Sequence, residues 1–302
     1  MSAPAVLPET PAEARVAEAS NRSSPRSRLS MWLLLAPALA LFAVGFAYPL
    51  LNVARFAFDR FTSAGGQVPA WSLEQFTDVI GTPVYRDLML RTFMLALTTT
   101  AVSIVLSYPL AIAVTRGPRR LRGVLMAVIL LPLMTSVVVK TFAWSVLLGS
   151  GGSLQKGLNA IGIPLKLLFT PIGVTIGMVH TYMPFMVLSL IASISAIDRS
   201  TEEAAMSLGS KPVGVFFKVV LPQTLNGLAA GTVLTFVTSM SALVIPQLLG
   251  GGKVSTIVTA IYEQATSAQN WPLASALGLV LLLATFLILT IHAYGARHAT
   301  AD

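Results

Sequence analysis

Six apolar runs, each long enough to cross a lipid bilayer, constrain this chain more than any other feature. They fall at about 29–51, 92–115, 123–148, 171–197, 225–249 and 271–294. At about 1.5 Å per helical residue, each covers the roughly 30 Å of hydrocarbon. Backbone polar groups in lipid must be satisfied within their own segment, so such runs are expected as helices. Composition agrees, because only 11% of residues are charged against 55% apolar. A soluble domain carries about a quarter charged residues. The expected fold class is an all-α membrane protein with six transmembrane helices.

Basic residues orient the spans. Arg15, Arg22, Arg26 and Arg28 precede the first, and Arg116, Arg119, Arg120 and Arg122 crowd the loop after the second. Arg199, Lys211 and Lys218 follow the fourth, and Arg297 follows the sixth. The tight arginine loop should stay inside, which predicts both termini cytoplasmic. The net charge of +8 is spread between apolar runs rather than gathered in one patch, which argues against a nucleic-acid partner. Residues 1–28 have no apolar period and read as a disordered tail. The first run is too long for a signal peptide and reads as an uncleaved anchor. The 55–91 stretch reads as a long polar excursion, and 254–262 as an apolar segment too short to span. With no cysteine, thiol catalysis, disulfides and zinc–thiolate sites are excluded, and no metal site is expected.

Pro37, Pro109, Pro132, Pro184 and Pro246 lie inside spans, with Pro49 near the end of the first. Interior prolines bend helices. They suit a protein that opens and closes, and equally the general enrichment of proline in membrane helices.

The loop 198–222 carries the most specific pattern. Ser200 with Glu203 forms a capping box that would start a helix at Thr201. Gly209 suits its C′ position and Pro212 prevents continuation. Thr201, Ala204, Ala205 and Leu208 share one stripe of this two-turn helix. Glu202 and Glu203 place acid at its N-terminus. Spacing alone fits a knob for a partner's groove and, equally, a connector packed on the protein's own surface. Residues 213–222 read as an apolar segment hugging the interface, with Pro222 breaking the chain before re-entry.

Glu203-Ala204-Ala205, three residues, Gly209, nine residues, Val219, one residue and Leu221-Pro222 resembles the signature of binding-protein-dependent ABC importer permeases, the MetI-like family. Val219 replaces the usual Ile. Pro132–Trp144, Tyr182–Leu188, Pro246–Gly251 and Trp271–Ala276 look like segments of spermidine/putrescine-type permeases. The resemblance covers roughly residues 29–295. It implies a MetI-like fold in the bacterial inner membrane, paired with a second permease, two ATPase subunits and a periplasmic binding protein. It implies a coupling surface of Glu202, Glu203, Ala204, Ala205, Leu208, Gly209, Leu221 and Pro222. The chain itself holds no cofactor, since its Gly149–Gly157 stretch lacks Walker A spacing, so ATP and Mg belong to the partner.

The substrate reading is looser. A polyamine-like organic cation follows from the resemblance, yet no Asp or Glu lies inside the predicted spans. Thr135, Ser136, Lys140, His180, Tyr182, Ser239, Ser241 and Gln247 are the translocation-path candidates. Lys140 falls roughly 25 Å along its helix, where it would snorkel or pair structurally, or contact an anion. His180, Ser239, Ser241 and Gln247 could instead bond between helices. Trp144, Tyr262 and Trp271 read as an aromatic belt. The rival function is an ion-coupled secondary transporter, which usually needs intramembrane acids and would leave the 198–222 loop unexplained.

Overall fold

The structure is a computed structural model. It describes residues 35–62, 66–163 and 165–299, the side chains of residues 293 and 295–299 excepted. The expected tail 1–28 and its arginines lie outside the described residues. The chain divides into a first unit ending at Arg55 and a second beginning at Phe56.

Helix α1, Leu35–Phe56, is apolar throughout. Leu41, Phe42, Val44 and Leu51 are exposed, as expected for a helix solvated by lipid. It contains a π turn at Ala43–Ala47, immediately before Pro49. Proline lacks the N–H that would close an α turn, and a wider turn absorbs the defect.

The second unit begins with a hairpin, β1 Arg60–Thr62 paired antiparallel with β2 Gly66–Val68. Helix α2, Glu74–Gly81, follows. The hairpin is held by Asp59, whose carboxylate accepts from Gln67 Nε2 at 2.8 Å and Ala70 N at 3.0 Å. The described part of the 55–91 excursion is therefore built of secondary structure. It ends early, because α3 runs Pro83–Arg116 and starts nine residues before the predicted span. Pro83 at N1 explains that start, since its missing N–H would be unpaired there anyway.

Helix α7, Pro171–Ala196, is continuous as predicted. Two other predicted spans are broken. Residues 123–148 form α4, Arg119–Met134, and α5, Val137–Leu148, with extended backbone at Thr135 and Ser136. Residues 225–249 form α10, Leu225–Met240, and α11, Val244–Gly250. A short α6, Ser153–Ala160, follows α5. Helix α8 is Arg199–Ser207, α9 is Pro212–Gln223, α12 is Ile257–Thr266 and α13 is Trp271–Ala299. Pro222 does not break α9 as expected. A second π turn, Phe216–Val220, takes up the lost hydrogen bond, and the chain instead bends by 72° between α9 and α10. Among the described residues, five helical segments are long and apolar enough to span, the third of them Val137–Ala160 rather than 123–148, or six counting α9 with α10.

Helices α3, α7 and α10 form the centre of the second unit. Small residues let them approach. A Cβ on Gly227 would lie 2.0 Å from Ser193 Oγ, and one on Gly231 would lie 2.7 Å from Met186 Sδ. Helix α3 contributes buried Ala96, Thr99, Ser103, Ser107 and Ala111, a small-residue stripe suited to close packing in lipid. The last halves of the two broken spans, α5 and α11, pack on each other, and α11 also lies on α7.

Candidate functional site

Helix α8 starts two residues earlier than its sequence suggests. Asp198 is its N-cap, accepting from Ser200 N at 3.0 Å. The expected Ser200–Glu203 box does not form. An ionised Asp is as good a cap as Ser, and this one reaches the free N–H. The bond from Ser200 lowers the Asp198 pKa from the ordinary carboxylate value. The C-terminus closes as predicted. Gly209 has φ +85, Gly209 N donates to Met206 O at 2.9 Å, and Ser210 N donates to Ala205 O at 3.1 Å. That pair of bonds is a Schellman motif.

The two readings of this helix separate by exposure. Thr201, Glu203, Ala204, Met206 and Leu208 face outward, and Leu208 is 88% exposed. Val213 and Phe217 on α9 extend the apolar exposure. Ala205 is half-buried, and Leu221 packs into the protein's own core with Tyr108, Leu190 and Val220. Pro222 is exposed. Glu202 turns inward, its carboxylate ion-paired with Arg116 at the end of α3. Most of the stripe therefore faces away from the chain, and of the predicted coupling residues only Glu202, Ala205 and Leu221 pack on the chain's own surface.

Six of the eight path candidates lie at or within about one turn of the two helix breaks, while His180 and Tyr182 lie on the continuous α7. Thr135 and Ser136 are the first break, and Lys140 lies one turn into α5. Lys140 is buried, and its Nζ donates to Pro132 O at 2.7 Å. It does not snorkel. The distance that suggested so assumed one straight helix, whereas the break exposes the last carbonyls of α4, and the ammonium caps one of them. Thr135, Lys140 and His180 line a cavity of about 250 Å³ with Trp144. Trp144 Nε1 donates to His180 Nδ1 at 3.1 Å, so Trp144 is an internal residue rather than part of a belt. Tyr262 and Trp271 remain exposed.

Trp144 and His180 also border a larger cavity of about 1000 Å³ between α3 and α7. Its lining includes Met94, Thr98, Met183, Asp87 and Arg91. Asp87 lies outside the predicted spans, exposed on the early turns that α3 adds before them. Tyr182 packs instead against the apolar cluster that includes Ile245 and Leu249 of α11. Ser239 is buried with no hydrogen-bond partner, while Ser241 and Gln247 are exposed near the second break. None of these four lines either cavity.

Sequence reasoning passed over Arg116, Asp198, Met206 and Phe217. Only Asp198 carried a local signal, as a capping residue directly before the helix.

Comparison with known proteins fits this geometry. Residues 103–299 match the model for "Binding-protein-dependent transport system inner membrane component". The spermidine/putrescine transport system permease protein PotB of Escherichia coli is 29% identical over 225 residues, 74% of this chain and 82% of that protein. The molybdenum transport system permease protein ModB of Mycobacterium bovis is 29% identical over 277 residues, 90% of this chain and 96% of that protein. Among solved structures, a bacterial alginate ABC transporter in complex with its pentasaccharide-bound periplasmic protein has a chain that superposes with TM-score 0.75 at 16% identity, covering 91% of this chain and 96% of that one. The chain therefore belongs to the binding-protein-dependent inner-membrane permease family. It is the multi-pass permease subunit of an ABC importer, and ATP hydrolysis is on a separate subunit.

Proposed function

We propose that this permease forms half of a translocation path for a small organic solute, with α8 seated in a groove of a cytoplasmic ATPase subunit. The exposed apolar tip of α8, Leu208 above all, carries this reading. Water-exposed apolar residues rimmed by acid mark an interaction surface. Burying such a tip contributes about 1.5–3 kcal/mol per large side chain. Both termini then lie in the cytoplasm, the second permease completes the path, and a periplasmic binding protein delivers the solute. ATP and Mg bind on the ATPase pair. Closure of that pair would move α8 and open the path outward.

For the solute, the permease relatives named for spermidine and putrescine support a polyamine-like cation. Asp87 beside the large cavity supplies a carboxylate for it. A second reading, a small anion, is favoured by Lys140, a buried ammonium with no paired carboxylate among the described residues.

The test is the importer reconstituted in proteoliposomes with its ATPase and binding protein. Glu203→Arg should leave the permease folded and reduce ATPase co-purification and uptake together. Unchanged uptake would sink the docking reading. Uptake of labelled putrescine against molybdate decides between cation and anion.

A further inference from the structure

The most connected side chain at the α8 end of the molecule is Arg116, which the function above does not use. It is the last residue of α3, and its side chain is 19% exposed. Its Nη2 nitrogen lies within hydrogen-bond distance of three acceptors on two other elements, while its buried Nε has no hydrogen-bond partner. One is the carboxylate of Glu202 on α8. The others are Ile194 O and Ile197 O at the end of α7, each at 3.3 Å. The link is reciprocal, because Arg199 Nη2 on α8 donates back to Arg116 O at 3.2 Å. Nη2 carries two N–H bonds that the three acceptors share, and a lysine ammonium, one bond shorter, would not reach all three in the same geometry. The cation also sits where the α7 dipole is negative.

Covalently, α8 is tied only to α7 and α9. Helix α3 lies 83 residues upstream of Arg199 and meets α8 through these side chains. Gly117 N then donates to Ala113 O at 3.0 Å, closing the last turn of α3, where a Cβ on Gly117 would fall 2.2 Å from the same oxygen. The end of α3 is thus held in place on both sides of Arg116.

The geometry points to the Arg116–Glu202 pair as the joint that carries movement of α8 into α3 and α7 together. Arg116 is a positioning residue, acting through Glu202 rather than touching ATP or solute. The inference rests on the docking reading, and it reassigns Glu202 from the partner contact to the transmission. With the pair intact, displacement of α8 moves two of the three central helices as one body. Without it, α8 can swing on its covalent tethers while α3 stays still.

The experiment uses the reconstituted importer with Arg116→Ala, Glu202→Ala and the double variant. Three quantities are read: co-purification of the ATPase, basal ATPase rate, and stimulation of that rate by loaded binding protein. Co-purification and basal rate should stay within about twofold of wild type, the scatter of independent sites. Stimulation should fall at least about fivefold, the low end of coupling between sites. The double variant should be no worse than either single one. Arg116→Lys, which keeps the charge and the fold, should lose part of the stimulation. Additive losses in the double variant would overturn the joint. So would loss of co-purification in Glu202→Ala alone, which would make Glu202 a docking contact. Failure of the wild-type chain to hold its ATPase would instead strike the docking reading.

Discussion

Gly227→Ala is a sharp test of how the centre of the unit is packed. The new Cβ would sit 2.0 Å from Ser193 Oγ, 2.7 Å from Ser193 Cβ and 2.8 Å from Ser189 O. Ser193 can change rotamer, but a backbone carbonyl cannot move away without α7. Reaching an ordinary contact requires α7 and α10 to part by most of an ångström. Overpacking of this kind costs about 1–3 kcal/mol. Replacing a mid-helix glycine by alanine returns about 0.5–1 kcal/mol. At the middle of both ranges the net loss is about 1.3 kcal/mol, or about 2.5–5 °C in midpoint at about 2–4 °C per kcal/mol. Gly278→Ala is the control, because nothing lies within 4 Å of its would-be Cβ. Thermal unfolding of the detergent-solubilised complex reads both. If Gly227→Ala matched or exceeded wild type while Gly278→Ala behaved as expected, the close approach of α7 and α10 would be refuted.

Leu208→Glu should abolish ATPase co-purification without lowering the unfolding midpoint, since the side chain touches water in the free permease. Lys140→Met should leave the fold intact or firmer, because removing a charge from the membrane interior recovers about 2.5–3.5 kcal/mol on insertion scales, against loss of one carbonyl cap. Anion uptake should then fall, and putrescine uptake should not. Asp198 makes a signed prediction with pH. Its lowered pKa means the cap stabilises α8 above the ordinary carboxylate pKa of about 3.9 and is lost as pH falls through the still lower folded value. Hydrogen exchange of α8 amides should therefore be unaffected by cap titration from pH 5 to 8, and Asp198→Ala should raise exchange across that range.

The spans were legible because hydropathy over twenty residues is a strong signal, and α7 was read to within a residue. The breaks were not, because Thr135–Ser136 and Ser241–Leu243 sit inside runs whose apolar character barely changes. Their error spread to Lys140, placed by counting along a helix that does not exist as one piece. The α8 signature showed which face matters, yet Ser200 and Asp198 are equally good caps two residues apart, and geometry decided between them. Arg116 and Glu202 lie 86 positions apart, a distance at which one sequence carries no pairing information. The inward turn of Glu202 was invisible for the same reason.

The two broken spans have a consequence for how this chain can change over time. At each break the polar groups include main-chain carbonyls, which no substitution can remove. Lys140 already uses one such oxygen, Pro132 O. A membrane interior built this way keeps its capacity to bind polar groups whatever side chains drift around it. On the proposed path, preference for one solute over another would rest on a few side chains bordering the cavities, such as Asp87, His180 and Lys140. A shift of cargo would need only those positions to change, with the architecture and its connection to the motor left as they are.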